Sequence, residues 1–312
     1  MKVSVALCTY NGEKYLSTQL DSILHQTLIP DELIICDDGS TDRTIEILST
    51  YEKKYPEIIK VFTNETNLGF IRNFEKAIYL CNSEIIIISD QDDVWEKNKI
   101  EETILFFQKN PDSDGVFHDL KLIDENSVQP SYLNWKNITH ESIINDIREH
   151  KLFVSLVSKG SFILGCALAI RKNALEKYNI KDFPMAHDYF IVQILSIKNK
   201  LGFIPKALSS YRLHPGQVYG LRYNSEKSET PSSLSVHQKY FKNYVWPYLK
   251  SIERLQEINP KEDPQKTEIY SAFIKNRNSY LKTMNFLDKK IYIAKCIRHK
   301  YLDLKLSDLF TI

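Results

Sequence analysis

Asp90, Asp92 and Asp93 fall within four positions, in Asp90-Gln91-Asp92-Asp93-Val94-Trp95, directly after the apolar run Ile85-Ile86-Ile87-Ile88. A β-branched run of this kind reads as a strand buried on both faces, the middle of a parallel sheet. Three carboxylates bunched at a strand's C-terminal end repel one another, so a compensating charge is expected there. In open α/β sheets this is also the end at which ligands bind. A hard divalent cation, holding phosphate oxygens on its far side, would supply the charge. The competing expectation is a solvated acidic turn, with Asp92 or Asp93 capping a helix from about Trp95 to Gln108.

Strand–helix repeats lead up to this cluster. Val3–Leu7 reads as a strand that runs into Cys8-Thr9-Tyr10-Asn11-Gly12-Glu13, and a helix follows over 14–25 with Leu16, Leu20, Ile23 and Leu24 on one side. A second strand, Glu32–Cys36, ends in Asp37-Asp38-Gly39-Ser40-Thr41-Asp42 and precedes a helix over 44–55. A third, Ile58–Thr63, ends in Asn64-Glu65-Thr66-Asn67-Leu68-Gly69 and precedes a helix over 71–81. This β-α-β-α-β-α-β order predicts a parallel sheet with right-handed crossovers and helices on both faces. Parallel strands end on one edge, so four polar clusters (Thr9-Tyr10-Asn11, Asp37-Asp38, Asn67 with Gly69, and the three aspartates) converge on one crevice. Neither GxGxxG nor GxxxxGK[ST] occurs, which argues against a dinucleotide cradle or a P-loop.

The chain has 312 residues and 43% hydrophobic content, enough for one large domain or a domain with an appendage. Its formal charge of +1 hides an asymmetry: residues 232–312 carry +7 and residues 1–231 carry −6. A basic tail on an acidic body suggests that the tail meets something anionic. Five scattered cysteines without CxxC spacing read as reduced, buried thiols of a cytosolic protein. Val3–Leu7 enters a turn without a charged leader, and the longest apolar stretch, 162–170, is too short to span a membrane. The expected location is the cytoplasm, with peripheral contact to the inner face of the cell membrane left open.

Beyond the first sheet half, 116–119 reads as a strand and 120–126 as a second strand with a turn. His118 and Asp119 are adjacent on a strand and point to opposite faces, so they make a poor metal pair. Asp119 is expected to be structural or to line an acceptor pocket. Residues 130–156 read as irregular cover for the site. Residues 162–170 read as a strand in which Gly165 permits close backbone approach. Cys166 reads as a buried thiol rather than a nucleophile. Asp188 could simply cap the apolar helix over 191–197. In the tail, Met284, Leu287, Ile291, Ala294, Ile297, Tyr301 and Leu304 form a helical stripe beside Lys289, Lys290, Lys295, Arg298 and Lys300. Such a helix over 281–305 either lies on an anionic membrane or packs on the catalytic domain.

Taken together, Val5-Ala6-Leu7-Cys8-Thr9-Tyr10-Asn11-Gly12, Asp37-Asp38-Gly39-Ser40-Thr41-Asp42, Asn67-Leu68-Gly69 and Asp90-Gln91-Asp92-Asp93-Val94-Trp95 resemble the family 2 glycosyltransferases of GT-A fold. With Gly69-Phe70-Ile71-Arg72-Asn73-Phe74 upstream, the pattern looks most like the bacterial rhamnosyltransferase type that builds surface polysaccharides. The resemblance covers about residues 2–218. It implies a Rossmann-like, mostly parallel sheet with helices on both faces, in a catalytic domain over 1–225 with a basic helical extension over 232–312. Residues 1–110 would be the nucleotide-sugar half and 111–225 the acceptor half.

The resemblance also implies roles. Thr9, Tyr10, Asn11, Glu13, Asp37, Asp38, Asn67, Gly69, Arg72, Asp90 and Gln91 would bind the donor nucleotide, Asp37 accepting from a pyrimidine N3–H. Asp92 and Asp93, with His214 as an open third, would hold Mn2+ or Mg2+, and Arg212 would meet the diphosphate. Trp95, Asp119, Gly165, Cys166 and His187 would form the acceptor and sugar pocket. Asp188 matches the second acid of the family's acid pair, the general base, while His187 replaces the first. The implied partners are a UDP- or dTDP-sugar and an oligosaccharide or polyprenyl-diphosphate-linked acceptor, with no nucleic acid. Two other readings compete. A sugar nucleotidyltransferase would need a Gly-rich phosphate loop that Cys8-Thr9-Tyr10-Asn11 does not supply. A sugar-binding scaffold would be expected to have lost Asp90, Asp92 or Asp188, all of which are present.

Overall fold

The structure, a computed structural model, describes residues 1–124, 127–159, 161–183, 186–215, 217, 286, 289–291 and 293–294. The chain divides into two compact units, Met1–His150 with Phe162–Tyr223, and Lys151–Ser161 with Asn224–Ile312. The first unit contains, in order, β1 (Val3–Thr9), α1 (Leu16–Leu24), β2 (Glu32–Asp37), α2 (Thr44–Lys54), β3 (Ile59–Thr63), α3 (Phe70–Leu80), β4 (Ile85–Ser89), β5 (Val94–Trp95) and α4 (Lys99–Lys109). Next come β6 (Gly115–Ile123), β7 (Val128–Gln129), α5 (Tyr132–Trp135) and α6 (His140–Arg148). The second unit contributes α7 (Leu152–Lys159) and the helical residues Phe286, Lys289–Ile291, Ile293 and Ala294. Back in the first unit lie a 3-10 turn (Gly165–Ala167), β8 (Leu168–Arg171), α8 (Asn173–Lys177), α9 (His187–Ile197) and β9 (Leu201–Arg212).

The described strands form one sheet of order β3-β2-β1-β4-β8-β6-β9-β5, with β7 on β6. The long ladders β2–β3, β1–β2, β1–β4 and β6–β9 are parallel, and the short ones involving β5, β7 and β8 are antiparallel. Val3, Val5, Leu7, Leu33, Ile35, Ile85 and Ile87 pack in one core with Leu16, Leu20, Ile23, Leu48, Ile100 and Phe107 of α1, α2 and α4. The alternate residues turn to the other face, where α3 contacts β1, β2 and α9. No described helix is long and apolar enough to cross a membrane.

Only Asp90–Asp93 separates β4 from β5, yet three strands lie between them in the sheet order. A flat sheet would set them four spacings apart, about 19 Å, whereas five peptide steps reach about 18 Å at full stretch. The sheet therefore curls, and the aspartate segment bridges its two ends.

Several elements differ from the sequence reading. The helix expected from Trp95 starts at Lys99, because Val94 and Trp95 pair antiparallel with Ser210 and Ser209. Asp92 and Asp93 therefore cap nothing. The two short strands expected over 116–126 are one strand, β6, rephased by a register shift at His118/Asp119 opposite Pro205 and Lys206 and a second at Asp119/Leu120 opposite Leu208. Proline, which has no N–H to give a ladder, suits such a bulge. The stretch over 130–156 is helical where Ser131 and Thr139 cap α5 and α6. Residues 162–170 form a ladder only from Leu168, after the 3-10 turn. Asp188 sits inside the first turn of α9, and Ala186 holds the cap position. The expected tail helix over 281–305 lies mostly outside the described residues.

Candidate active site

Register brings the ends of β1, β2 and β3 side by side, pairing Thr9 with Asp37 and Asp37 with Thr63. The Asp37 carboxylate is fully buried and accepts from Gly39 N (3.1 Å), Ser40 N (2.9 Å), Thr9 Oγ1 (2.8 Å) and Ser40 Oγ. Its acceptor sites are therefore filled, two of them by hydroxyls that can rotate away. Asp38 accepts from Leu68 N (2.7 Å), Gly69 N (2.9 Å) and Asn64 Nδ2 (2.8 Å), which fastens the loop before α3 to the end of β2. Gly69 has φ +77°, a left-handed conformation that favours glycine. Asn67 Nδ2 donates to Asp38 O (3.1 Å).

Across β1, Tyr10 is exposed, and its backbone N–H and C=O pair with the Gln91 side-chain amide (2.8 and 3.1 Å). Asn11 Oδ1 accepts from Thr41 N (2.8 Å), and Glu13 Oε2 from Arg43 N (3.0 Å). These bonds lace the turn after β1 to the turn after β2. Arg72, on the first turn of α3, is half-exposed and paired with Glu75.

At the end of β4 the pattern changes. One ligating atom each from Asp90, Asp93 and Cys166 lie within 4.8 Å of one another. Burial pushes the Asp93 carboxyl up to about 7, helped by the charge of Asp92. Desolvation also raises Asp90, with repulsion from Asp93, Asp92 and Asp188 adding to it. Asp93 Oδ2 is buried, and among the described residues no hydrogen bond to it is formed. The neighbouring Cys166 thiol, a weak donor, works against that rise without cancelling it.

Asp92 faces the other way. Its Oδ2 meets His214 Nε2 at 2.8 Å, and its carbonyl accepts from Arg212 Nε at 2.9 Å. Tyr15 supports both partners, with the Arg212 guanidinium 4.6 Å from its ring centroid and the His214 ring 4.8 Å away.

An oxygen-rich cluster with repelling carboxylates and an orphaned buried oxygen fits a hard divalent cation. Asp93 and Asp90 would face it directly. Asp92 and His214 would join only by giving up their mutual bond, and Cys166 adds a soft ligand atom beside them.

The sequence-derived donor and metal residues are brought to one edge. The residues expected to line the acceptor and sugar pocket are all buried. Trp95 is 4% exposed and packed in the core. Asp119, 1% exposed, accepts from Leu120 N, Leu133 N, Ser131 Oγ and His140 Nε2. Cys166 and His187 are buried, and the His187 ring, stacked on Phe74, fills the space over Gly165. Asp188 Oδ2 accepts from Gly165 N at 3.2 Å.

Sequence reasoning missed Tyr15 and Lys99. The signal for Lys99 was a lysine on the buried stripe of α4, with Ile100, Thr103 and Phe107. No pattern marked Tyr15.

The architecture is that of the GT-A glycosyltransferases. Among solved structures, the mannosyltransferase PcManGT from Pyrobaculum calidifontis, in complex with GDP-Man and Mn2+, aligns with TM-score 0.60 at 16% identity, over 95% of this chain and 75% of that one. Residues 4–178, more than half of the chain, match Glycosyl transferase family 2, and the protein belongs to that family. An uncharacterized glycosyltransferase of Haemophilus influenzae is 31% identical over 74% of this chain and 71% of its own length. The Escherichia coli UDP-Glc:alpha-D-GlcNAc-diphosphoundecaprenol beta-1,3-glucosyltransferase WfgD is 27% identical over 73% of this chain and 83% of its own length.

Proposed function

We propose that this protein is an inverting, divalent-metal-dependent transferase, moving a sugar from a UDP- or dTDP-sugar to a hydroxyl of a lipid-linked oligosaccharide in surface polysaccharide synthesis. The observation that carries this is the convergence of Asp90, Asp92, Asp93, Arg212 and His214 on the sheet edge that also holds the Thr9–Asp37 pair. The named chemistry of the E. coli relative supports a UDP donor and a diphosphoundecaprenol acceptor, and the Mn2+ in the P. calidifontis enzyme supports a metal.

In this reading a pyrimidine N3–H takes the place of one hydroxyl on Asp37, a charge-assisted bond that selects bases with a donor there. Tyr10 offers an exposed ring to the base. Arg212 neutralises diphosphate oxygens. Asp188 accepts the proton of the acceptor hydroxyl while that oxygen bonds to the anomeric carbon. The bond from that carbon to the diphosphate oxygen breaks on the opposite face, its electron pair leaving with the nucleotide, so one displacement inverts the centre. A bound Mn2+ or Mg2+ would neutralise charge that builds on the leaving diphosphate. We place the enzyme in the cytoplasm. Contact between its basic tail and an anionic membrane rests on the tail's sequence alone.

A thermal-shift screen of UDP-, dTDP- and GDP-sugars, with and without Mn2+, tests this. A pyrimidine nucleotide sugar at a hundredfold excess over Kd should raise Tm by roughly 5–10 °C, only with metal and not in Asp92→Asn. No shift with any of them would overturn the proposal.

A further inference from the structure

We propose that Lys99 is a positioning residue for Asp188, acting through the Gly165–Ala167 turn; the inference rests on Asp188 being the base. Lys99 opens α4 yet is only 1% exposed. Its amino nitrogen donates to the Cys166 carbonyl (2.8 Å) and Ser209 Oγ (2.9 Å) and lies 3.8 Å from the Trp95 ring centroid. A buried amino group with these partners is a rigid bracket, joining α4, the turn and β9.

The turn it grips is the one that touches the base. The residue before Cys166, Gly165, gives its N–H to Asp188 Oδ2. On its other side Gly165 meets His187: a Cβ there would lie 2.4 Å from His187 Nε2. Among the described residues neither ring nitrogen of His187 has a hydrogen-bond partner, so the imidazole acts by shape, wedged between Phe74 and Gly165. Lys99, at the Cys166 carbonyl, and His187, packed on Gly165, thus hold one turn from two points, and the first N–H of that turn bonds the carboxylate. This answers how Asp188 is oriented where the family's first acid is replaced by histidine.

The rival role for Lys99 is to be only a counter-charge to Asp90 and Asp93, which lie within its electrostatic reach. A double-mutant cycle separates the two. The reaction would be hydrolysis, with water as acceptor, of the nucleotide sugar giving the largest melting shift, read as released nucleoside diphosphate. Lys99→Met should lower kcat about tenfold or more, while UDP with Mn2+ binds within about threefold of the normal Kd. In an Asp188→Asn background, where there is no base left to position, Lys99→Met should change the residual rate less than about twofold. An equal loss in both backgrounds, or a loss of UDP affinity matching the loss of rate, overturns the inference. If Asp188→Asn alone keeps full turnover, the base assignment fails first, and it fails visibly before Lys99 is involved. Should Lys99→Met not fold, Ser209→Ala removes one of the bracket's two anchors and should show the same background dependence at about threefold.

Discussion

Asp37 and Asp38, at the end of β2, and Asp90 and Asp93, at and just past the end of β4, occupy one sheet edge but meet burial differently. The first pair is saturated, its oxygens taken up by backbone amides, hydroxyls and an asparagine that hold two loops in place. The second pair is raised in pKa, mutually repelling and short of donors. One region is finished without a ligand, while the other leaves its compensation to what binds there. Such division is expected where activity needs a destabilised centre and the fold needs a stable frame around it.

The largest effect should come from breaking the saturated side. Asp38→Ala removes the acceptor of the Leu68 amide, one of the two acceptors of the Gly69 amide and one partner of the buried Asn64 Nδ2, and should cost about 3 kcal/mol, read by urea denaturation. A loss below about 1 kcal/mol would mean that this side is not the frame. On the other side, Asp93→Asn keeps a carbonyl oxygen for the Arg212 N–H and removes a repelling charge. Stability of the metal-free protein should stay level or rise by about 1 kcal/mol while metal-dependent donor binding disappears. A fall as large as that of Asp38→Ala would erase the contrast.

The smallest effect is a pair of opposite pH slopes. Folded Asp93 holds its proton up to about pH 7, against about 4 when unfolded. The folded state then binds more protons between those values, so metal-free stability should fall as pH rises through that window. On the saturated side, burial opposes ionisation of Asp42, but bonds from Thr44 and Glu13 N outweigh it and lower the carboxyl. Its contribution is therefore present above about pH 4 and lost as pH falls below it. Melting in chelator from pH 3 to 8 would show both slopes, and a flat trace from 4 to 7 would contradict the first.

The frame was the more legible half in the sequence. Apolar periodicity gave β1 to β4 and α1 to α3 within a residue or two, and their polar ends share an edge because parallel strands must end together. What escaped depends on distant partners. Val94–Trp95 is too short to carry a period, and its pairing strand lies beyond residue 200. Asp119 looks like a site acid until Ser131, Leu133 and His140 fold over it. Lys99 departs from its apolar stripe, but what it holds, Cys166 and Ser209, comes from two later segments.

The curl that lets Asp90–Asp93 join β4 to β5 also has an entropic consequence. Both ends of that segment are tied into ladders, and four residues between two fixed ends have few conformations left to them. Folding has already met most of the ordering cost at these carboxylates, so an arriving ligand need not meet it again. Its affinity there can go to charge and coordination rather than to stilling a loop.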